Sequence, residues 1–333
     1  MSDKYVFLFI SFLLFCSCDR RELIYSSEAE ITISADWSQS ELGEKEQEYG
    51  ATAVFYPTDG SAPIVVLMGD RTQKTVRLKE GCYNVVLFNR SFDDFSNIDF
   101  RGHESYLTLE AHAKNIETRN TPPPERIITD SPDELAADCT ENFEVNSGML
   151  GNYSPATAKQ GNRSKTVNKD GCHLCFVPRK LTRKITAKIR IKGMNNIRNA
   201  TCKLDGIAES VFLVSGKSPE KTVTQMFKLN NPVYDSDSHT EGTLSGTISV
   251  FGFDEEITHN LHLEAELVDG KTIYEEDFND VTVSRMEEGD GTMSIVIDIT
   301  CENTVPNVKA EGSSGFDADV DNWEDEGNSD IDI

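Results

Sequence analysis

Apolar residues recur at every second position in many short segments of this sequence, and this period of two is the feature that most constrains the fold. In a β-strand successive side chains point to opposite faces, so the pattern predicts strands with one buried face. The clearest case is the stretch 179–192, where the predicted core face consists of Ile185, Ala187, Ile189 and Ile191. Similar segments lie at 31–35, 51–56, 64–67, 75–78, 82–89, 206–213, 243–253, 260–268, 271–274 and 293–299. The chain is therefore predicted to be all-β.

Turn residues separate several of these segments. Pro57-Thr58-Asp59-Gly60 lies between two of them, and because Asp and Gly tolerate the backbone angles of a tight reversal, a hairpin is predicted there. Glu80-Gly81 separates two further strands, and Asp269-Gly270 turns a strand of the second half. Together with the last alternating segment, these signals predict that the second half is an antiparallel sandwich of about seven strands.

The stretch 113–175 has a different composition. It contains Pro122-Pro123-Pro124, many small polar residues and little apolar periodicity, which predicts long loops. One helix is predicted within it. Ser131 is a suitable N-cap, Pro132 suits a first helical turn and Glu134 completes a capping box, so a short helix is expected over 132–139.

The start of the chain has the profile of an export signal. Lys4 precedes an apolar run over 5–15, and Cys16-Ser17-Cys18 follows. The run is shorter than the roughly 20 residues that a membrane-spanning helix needs, so residues 1–17 are predicted to be a removable signal peptide. A small residue directly before Cys18 resembles a bacterial lipobox, which implies a diacylglycerol thioether and an acylated (palmitate-type) amino terminus on Cys18. Secretion with cleavage elsewhere, or a cytosolic protein with an apolar first strand, is the alternative.

The length and net charge of the chain limit the number of domains and the kinds of partner that can be expected. A prior of about 100–200 residues per domain predicts two domains, here 18–175 and 176–305. The remaining 306–333 is rich in Gly, Ser and acid and is predicted to be a flexible tail. With 57 acidic against 32 basic side chains, net −25, the surface repels phosphates, so nucleic acid is not expected as a partner. The basic stretch 179–192 could attract an acidic partner, but its alternation favours a strand with cations facing water.

The cysteines and acids give no strong sign of a metal site. Six cysteines beyond Cys16 and Cys18 could pair in many ways, and the sequence leaves the pattern open: Cys82, Cys139, Cys172, Cys175, Cys202 and Cys301. The pair Cys172 and Cys175 has half of a zinc-site spacing, but no second pair follows. Asp317-x-Asp319-x-Asp321 resembles a calcium loop without its required Gly. No metal or cofactor is therefore predicted.

A search for catalytic motifs finds none. The sequence has no G-x-S-x-G, P-loop, G-x-G-x-x-G or H-E-x-x-H pattern, and its six histidines form no ligand cluster by spacing. His259 and His262 are three residues apart, which places them on opposite faces of a strand. His262, between core-facing Leu261 and Leu263, is predicted to be a surface residue. The chain is not expected to be an enzyme.

Several segments resemble a known family. The residues that carry the resemblance are 18–25, 54–60, 78–83, 86–89, Gly242-Thr243-Leu244-Ser245-Gly246 and Val281-Thr282-Val283. They are similar to Bacteroidales lipoproteins grouped as a domain of unknown function, which in turn resemble the fimbrillin-type superfamily of fimbrial stalk, anchor and tip proteins. The resemblance implies two transthyretin-like β-sandwich domains in tandem, a lipid anchor on Cys18 at the outer membrane, and assembly by strand exchange between subunits.

The sequence is compatible with three functions. The first is a lipid-anchored cell-surface fimbrial structural or adhesion protein, an anchor or accessory subunit because no long pro-segment separates Cys18 from the first strand. The second is a surface lipoprotein whose loops at 89–105 and 113–175 bind glycan or host protein without polymerisation. The third is a hydrolase built from scattered acids, which a cleft with two carboxylates roughly 5–9 Å apart would favour.

Overall fold

The predicted all-β class is confirmed. The structure is a computed structural model that describes residues 25–116, 127–150 and 172–309, apart from 255, 257 and 288–292. The predicted signal peptide, Cys18 and nearly all of the acidic tail lie outside the described residues. No helix within these ranges is long and apolar enough to cross a membrane.

The described residues form 21 strands joined by turns and six short 3₁₀ segments. In chain order the strands are β1 (Glu28–Ala35), β2 (Ala51–Pro57), β3 (Ile64–Met68), β4 (Gln73–Lys79), β5 (Gly81–Asn89), β6 (Ile98–Arg101), β7 (Glu110–Ala113), β8 (Ile128–Thr129), β9 (Ala136–Val145), β10 (His173–Phe176), β11 (Arg179–Lys180), β12 (Arg183–Lys192), β13 (Ile197–Ala208), β14 (Ser210–Phe212), β15 (Thr222–Lys228), β16 (Asn231–Tyr234), β17 (Glu241–Val250), β18 (His259–Leu267), β19 (Ile273–Val281), β20 (Ser284–Glu287) and β21 (Met293–Thr304). The 3₁₀ segments are Trp37–Gln39, Glu44–Glu48, Phe92–Asp94, Tyr106–Thr108, Ser147–Leu150 and Met194–Asn196.

Two sheets pack face to face in the first half of the chain, and we call this pair the first sandwich. One sheet has the strand order β10-β1-β4 and the other β11-β9-β5-β2-β3. Ile31 and Ile33 of β1 lie fully buried against Phe55 of β2 and Leu87 of β5. The predicted hairpin is confirmed, since β2 pairs antiparallel with β3 around Gly60, whose φ of 84° is in the left-handed region that Gly tolerates.

Two five-stranded sheets form the second sandwich. Their orders are β16-β17-β12-β21-β20 and β19-β18-β13-β15-β8, and one core lies between them. The predicted core face of the basic stretch is confirmed: the side chains at alternate positions of β12 are buried, and the intervening cations are exposed. The prediction of a purely antiparallel sandwich is wrong, because β12 pairs parallel with β21 and β15 pairs parallel with β8. Alternation identifies strands but does not encode which strands become neighbours.

A three-stranded sheet links the two halves. Its order is β14-β7-β6, so β14 from the second half pairs with β7 from the first. A third core joins the outer face of β5, through Phe88, to Val211, Leu213 and Phe251 of the second half. The division of the chain at residue 175 stays a prediction.

The predicted helix over 132–139 is wrong. The segment before β9 is irregular, and β9 itself begins at Ala136. The prediction of long loops over 113–175 is also wrong for this part, because β9 is a ten-residue strand that pairs with β5 inside a sheet. The Asp133 carboxylate accepts a hydrogen bond from the backbone N–H of Asn97 at 2.7 Å. The Glu134 carboxylate accepts one from the backbone N–H of Gly43 at 2.7 Å and forms a salt bridge with Lys184 at 2.6 Å. Burial alone would raise the pKa of Glu134, but the Lys184 and Gly43 contacts outweigh it and lower that pKa. The two carboxylates thus bind residues that are distant in the sequence, and neither is left to cap a helix.

Candidate assembly surface

Exposed apolar side chains concentrate on edge strands. Of the ten large apolar side chains exposed among the described residues, six lie on β3, β16 and β19, each at the edge of its sheet. An edge strand presents unpaired backbone N–H and C=O groups, which can pair with another chain. The six are Ile64, Val65, Leu67, Val233, Tyr234 and Ile273. Sheet edges are therefore the surfaces on which a further strand can pair with this chain.

Strand β3 is the least protected of these edges. Its residues Ile64–Met68 include no charged residue and no Pro. Val66 and Met68 face the first core, whereas Val65 and Leu67, on the opposite face, are 51% and 58% exposed. The strand is bonded to β2 on one side and ends the sheet on the other. An uncharged apolar edge of this kind favours addition of a further strand.

The other two edges carry features that oppose pairing. Strand β16 contains Pro232, which has no N–H to donate to a neighbouring strand. Strand β19 contains Glu275, Glu276 and Asp277 in succession, and like charges along an edge discourage an incoming strand. Neither edge matches β3 as a pairing surface.

Two grooves flank the second sandwich. One, of about 800 Å³, lies between β19 and β21 and is lined by six carboxylates: Glu275, Glu276, Asp277, Asp280, Asp298 and Glu302. The other, of about 630 Å³, lies between β13 and β16 and includes Arg198, Lys228 and the half-exposed Tyr234. The first could attract a cationic group and the second an anionic one. Tyr234 is the one aromatic side chain in the second groove, so it does not form the aromatic-lined trough that sugar binding favours.

The residues singled out by spacing fall in separate places. Cys18 lies outside the described residues. Cys202 and Cys301 are buried free thiols of the second core, and burial raises the pKa of both above its usual range. Cys175 is exposed and accepts a hydrogen bond from Ser34 Oγ at 3.3 Å. Among the described residues, no second pair of cysteines lies beside Cys172 and Cys175 to complete a zinc site.

The two close histidines have different environments. His262 lies on the outer face of β18, as predicted, with Nδ1 2.7 Å from Asp277 Oδ1. His259 is 1% exposed, and its two ring nitrogens lie 3.0 Å from the carbonyl oxygens of Asp205 and Asp254. Sequence spacing places these histidines on opposite faces but does not reveal the carboxylates beside His262.

The architecture defines an all-β protein of packed sandwiches. Residues 17–228 match the family described as Domain of unknown function (DUF5119), and this chain belongs to that family. The family membership predicted from the sequence is therefore confirmed. No curated protein matches the sequence.

Several solved structures are similar to this chain. An adhesin candidate from Bacteroides ovatus is 18% identical with a TM-score of 0.53, covering 79% of this chain and 87% of its own. An adhesin candidate from Bacteroides thetaiotaomicron is 11% identical with a TM-score of 0.45, covering 77% and 81%. The fimbrial anchor protein Mfa2 from Porphyromonas gingivalis is 11% identical with a TM-score of 0.39, covering 81% and 95%. The first of these similarities establishes a common fold.

Proposed function

We propose that this chain is a lipid-anchored fimbrial-type protein of the bacterial cell surface, an anchor or accessory subunit that joins other subunits by strand addition at β3. The observation that carries the proposal is the uncharged, exposed edge of β3. The adhesin candidate that shares the fold supports a role in adhesion. Acylation of Cys18 would hold the protein at the outer membrane while the sandwiches remain in water.

The physical basis of assembly at β3 is the same as that of sheet formation. An added strand pairs with the free backbone groups of β3 and covers its exposed side chains. Complete burial of a Val or Leu side chain contributes about 1.5–3 kcal/mol. Because Val65 and Leu67 are already about half buried, covering both can contribute about 2–3 kcal/mol to association without any change in the core.

Charges on β3 are expected to weaken assembly. In the double variant Val65→Lys with Leu67→Lys, two cations replace the apolar surface, and association should weaken at least about tenfold, since 1.4 kcal/mol corresponds to that factor. The measurement is surface crosslinking of intact cells followed by native pull-down. Pull-down of the wild-type protein should recover a ladder of crosslinked species that contain other subunits. Pull-down of the double variant should recover the variant alone. Both residues are exposed, so the melting temperature of the purified variant should match that of the wild type.

The matched control is Leu107→Lys, which adds a cation at a residue that is 69% exposed on the 3₁₀ segment Tyr106–Thr108, outside the strands. It should preserve the ladder. A ladder that survives the double variant would rule out β3 as the assembly strand. If wild-type protein itself is monomeric and alone, the fimbrial role is wrong, and glycan or host-protein binding by the loop 89–105 becomes the leading function.

Loss of the acylated thiol is expected to release the protein from the membrane. Cys18→Ala should move most of the protein from the membrane fraction to the soluble fraction, because no acyl chain remains to bury. Incorporation of a labelled palmitate analogue, followed by fractionation, measures both effects. Cys16→Ala is the control, since Cys16 would be removed with the leader. Undiminished labelling of Cys18→Ala would show that the anchor lies elsewhere.

A further inference from the structure

We infer that His262, Glu264 and Glu275 form a binding site for a divalent transition-metal ion, Zn²⁺ by the chemistry of its ligands, on the outer face of the second sandwich. The three residues belong to neighbouring strands, β18 and β19, which pair antiparallel. One potential ligand atom from each residue lies within 4.8 Å of the other two. This inference is independent of the proposed assembly role.

The strand register brings the donors together. Glu264 lies directly opposite Glu275, and His262 lies directly opposite Asp277. Residues two apart on a strand share a face, so all four side chains lie on the same side of the sheet. Strand β18 is held between β13 and β19, which gives the two donors on it a rigid base.

The arrangement is unfavourable without a cation. Like charges directly opposite each other on neighbouring strands are destabilising, and Glu264 and Glu275 are such a pair. Lys203 Nζ lies 3.1 Å from Glu264 Oε2 and offsets one of the two carboxylates. Glu275 makes no ion pair within the part of the chain that the structure describes. A bound divalent ion would neutralise the remaining repulsion.

The fourth side chain prepares the histidine for metal binding. Asp277 Oδ1 is 2.7 Å from His262 Nδ1, and when Nδ1 donates its proton to this carboxylate, Nε2 keeps the lone pair that a metal requires. Histidine ligands in metal sites commonly have such a carboxylate partner, which fixes the tautomer and the ring orientation. Asp277 is therefore a positioning residue, and the ligands are the other three.

The donor set selects the ion. One imidazole nitrogen with two carboxylates suits zinc, whereas calcium and magnesium prefer oxygen ligands alone. Zinc bonds of about 2.0–2.2 Å place tetrahedral ligand atoms about 3.4 Å apart. Ligand atoms within 4.8 Å of one another need only small side-chain rotations to reach that spacing, and the exposed Glu275 is the least restricted of the three. A water molecule would complete the tetrahedron.

The test is Zn²⁺ titration of the full-length protein after dialysis against a chelator. Isothermal titration should give one site for the wild type, and Zn²⁺ should raise its melting temperature, because a ligand that binds only the folded state stabilises it. His262→Gln and Glu275→Gln should each weaken binding at least tenfold and remove the thermal shift. Asp277→Asn should weaken it about 10–100-fold, as expected for a partner of a ligand. Ca²⁺ should produce no comparable shift.

Two controls separate this site from general metal binding. His239→Gln changes an exposed histidine in the turn between β16 and β17 and should leave Zn²⁺ affinity unchanged. Metal-free Glu275→Gln should be at least as stable as the metal-free wild type, because the substitution removes the repulsion with Glu264. The inference is overturned if the wild type does not bind Zn²⁺, if the ligand variants bind like the wild type, or if His239→Gln weakens binding equally.

Discussion

Replacement of Glu46 by Ala is expected to lower the free energy of unfolding by about 3–5 kcal/mol, because it removes the bidentate partner of the buried Arg90 guanidinium. The two side chains are almost fully buried, at 4% and 7% exposure, and they form a bidentate ion pair. Burial would lower the pKa of Arg90, but the hydrogen bond and charge of Glu46 outweigh it and raise that pKa. Chemical denaturation followed by circular dichroism measures the loss.

The same ion pair belongs to a wider network, which is why its loss should be large. Arg90 Nη1 also lies 3.4 Å from Asp133 Oδ1 and donates to the Asp94 carbonyl at 3.2 Å. Asn89 donates to Glu46 Oε2 at 3.1 Å. The network therefore joins the 3₁₀ segment Glu44–Glu48, the end of β5 and the segment before β9.

The matched control is Glu48→Ala, which removes the same charge from an exposed residue of the same 3₁₀ segment. Its effect should stay within about 0.5 kcal/mol. The double variant Glu46→Ala with Arg90→Ala should be less destabilised than the sum of the single variants, because both members of the bidentate ion pair are removed together. Equal stability of Glu46→Ala and Glu48→Ala would contradict the prediction.

Replacement of Phe88 by Ala is expected to cost about 3–5 kcal/mol and to weaken the connection between the two halves of the chain. Phe88 is fully buried, and its ring lies 5.0 Å from that of Phe92 and 5.4 Å from that of Phe100. The core that contains it includes Val211 and Phe251 of the second half. Differential scanning calorimetry should show a lower transition that broadens or splits, because fewer contacts couple the halves.

The neighbouring residue provides the comparison for Phe88→Ala. Leu87 is equally buried but faces the first core, so Leu87→Ala should cost about 2–5 kcal/mol while the second half keeps its contacts with Phe88. Limited proteolysis of the second half at a temperature below both transitions should then be faster in Phe88→Ala than in Leu87→Ala. The same cleavage rate in both variants would show that Phe88 does not couple the halves.

The local pattern was sufficient to predict about half of the strands and which of their side chains face inward, but it missed β9 and β15. The alternation along 183–192 corresponds to β12 with its apolar face buried, and Pro57-Thr58-Asp59-Gly60 corresponds to the β2–β3 hairpin. Both features depend on neighbours within a few residues, so sequence period and turn chemistry are enough. The family resemblance was also carried by short local segments.

Other features depended on contacts between residues far apart in the chain. The capping pattern at Ser131–Glu134 was overridden because Asp133 and Glu134 find partners at Asn97, Gly43 and Lys184. The apolar run of β3 predicts a strand, but only the sheet order places that strand at an edge and leaves Val65 and Leu67 exposed.

The sequence by itself therefore determined the all-β class, the position of about half of the strands and the orientation of their core faces, because these follow from side-chain alternation along a single strand. The tertiary structure alone decided that β12 lies parallel to β21, that β3 has a free edge, and that His262 and Glu264 meet Glu275. The physical reason is that strand pairing and register depend on packing between distant segments, which alternation within one segment does not specify.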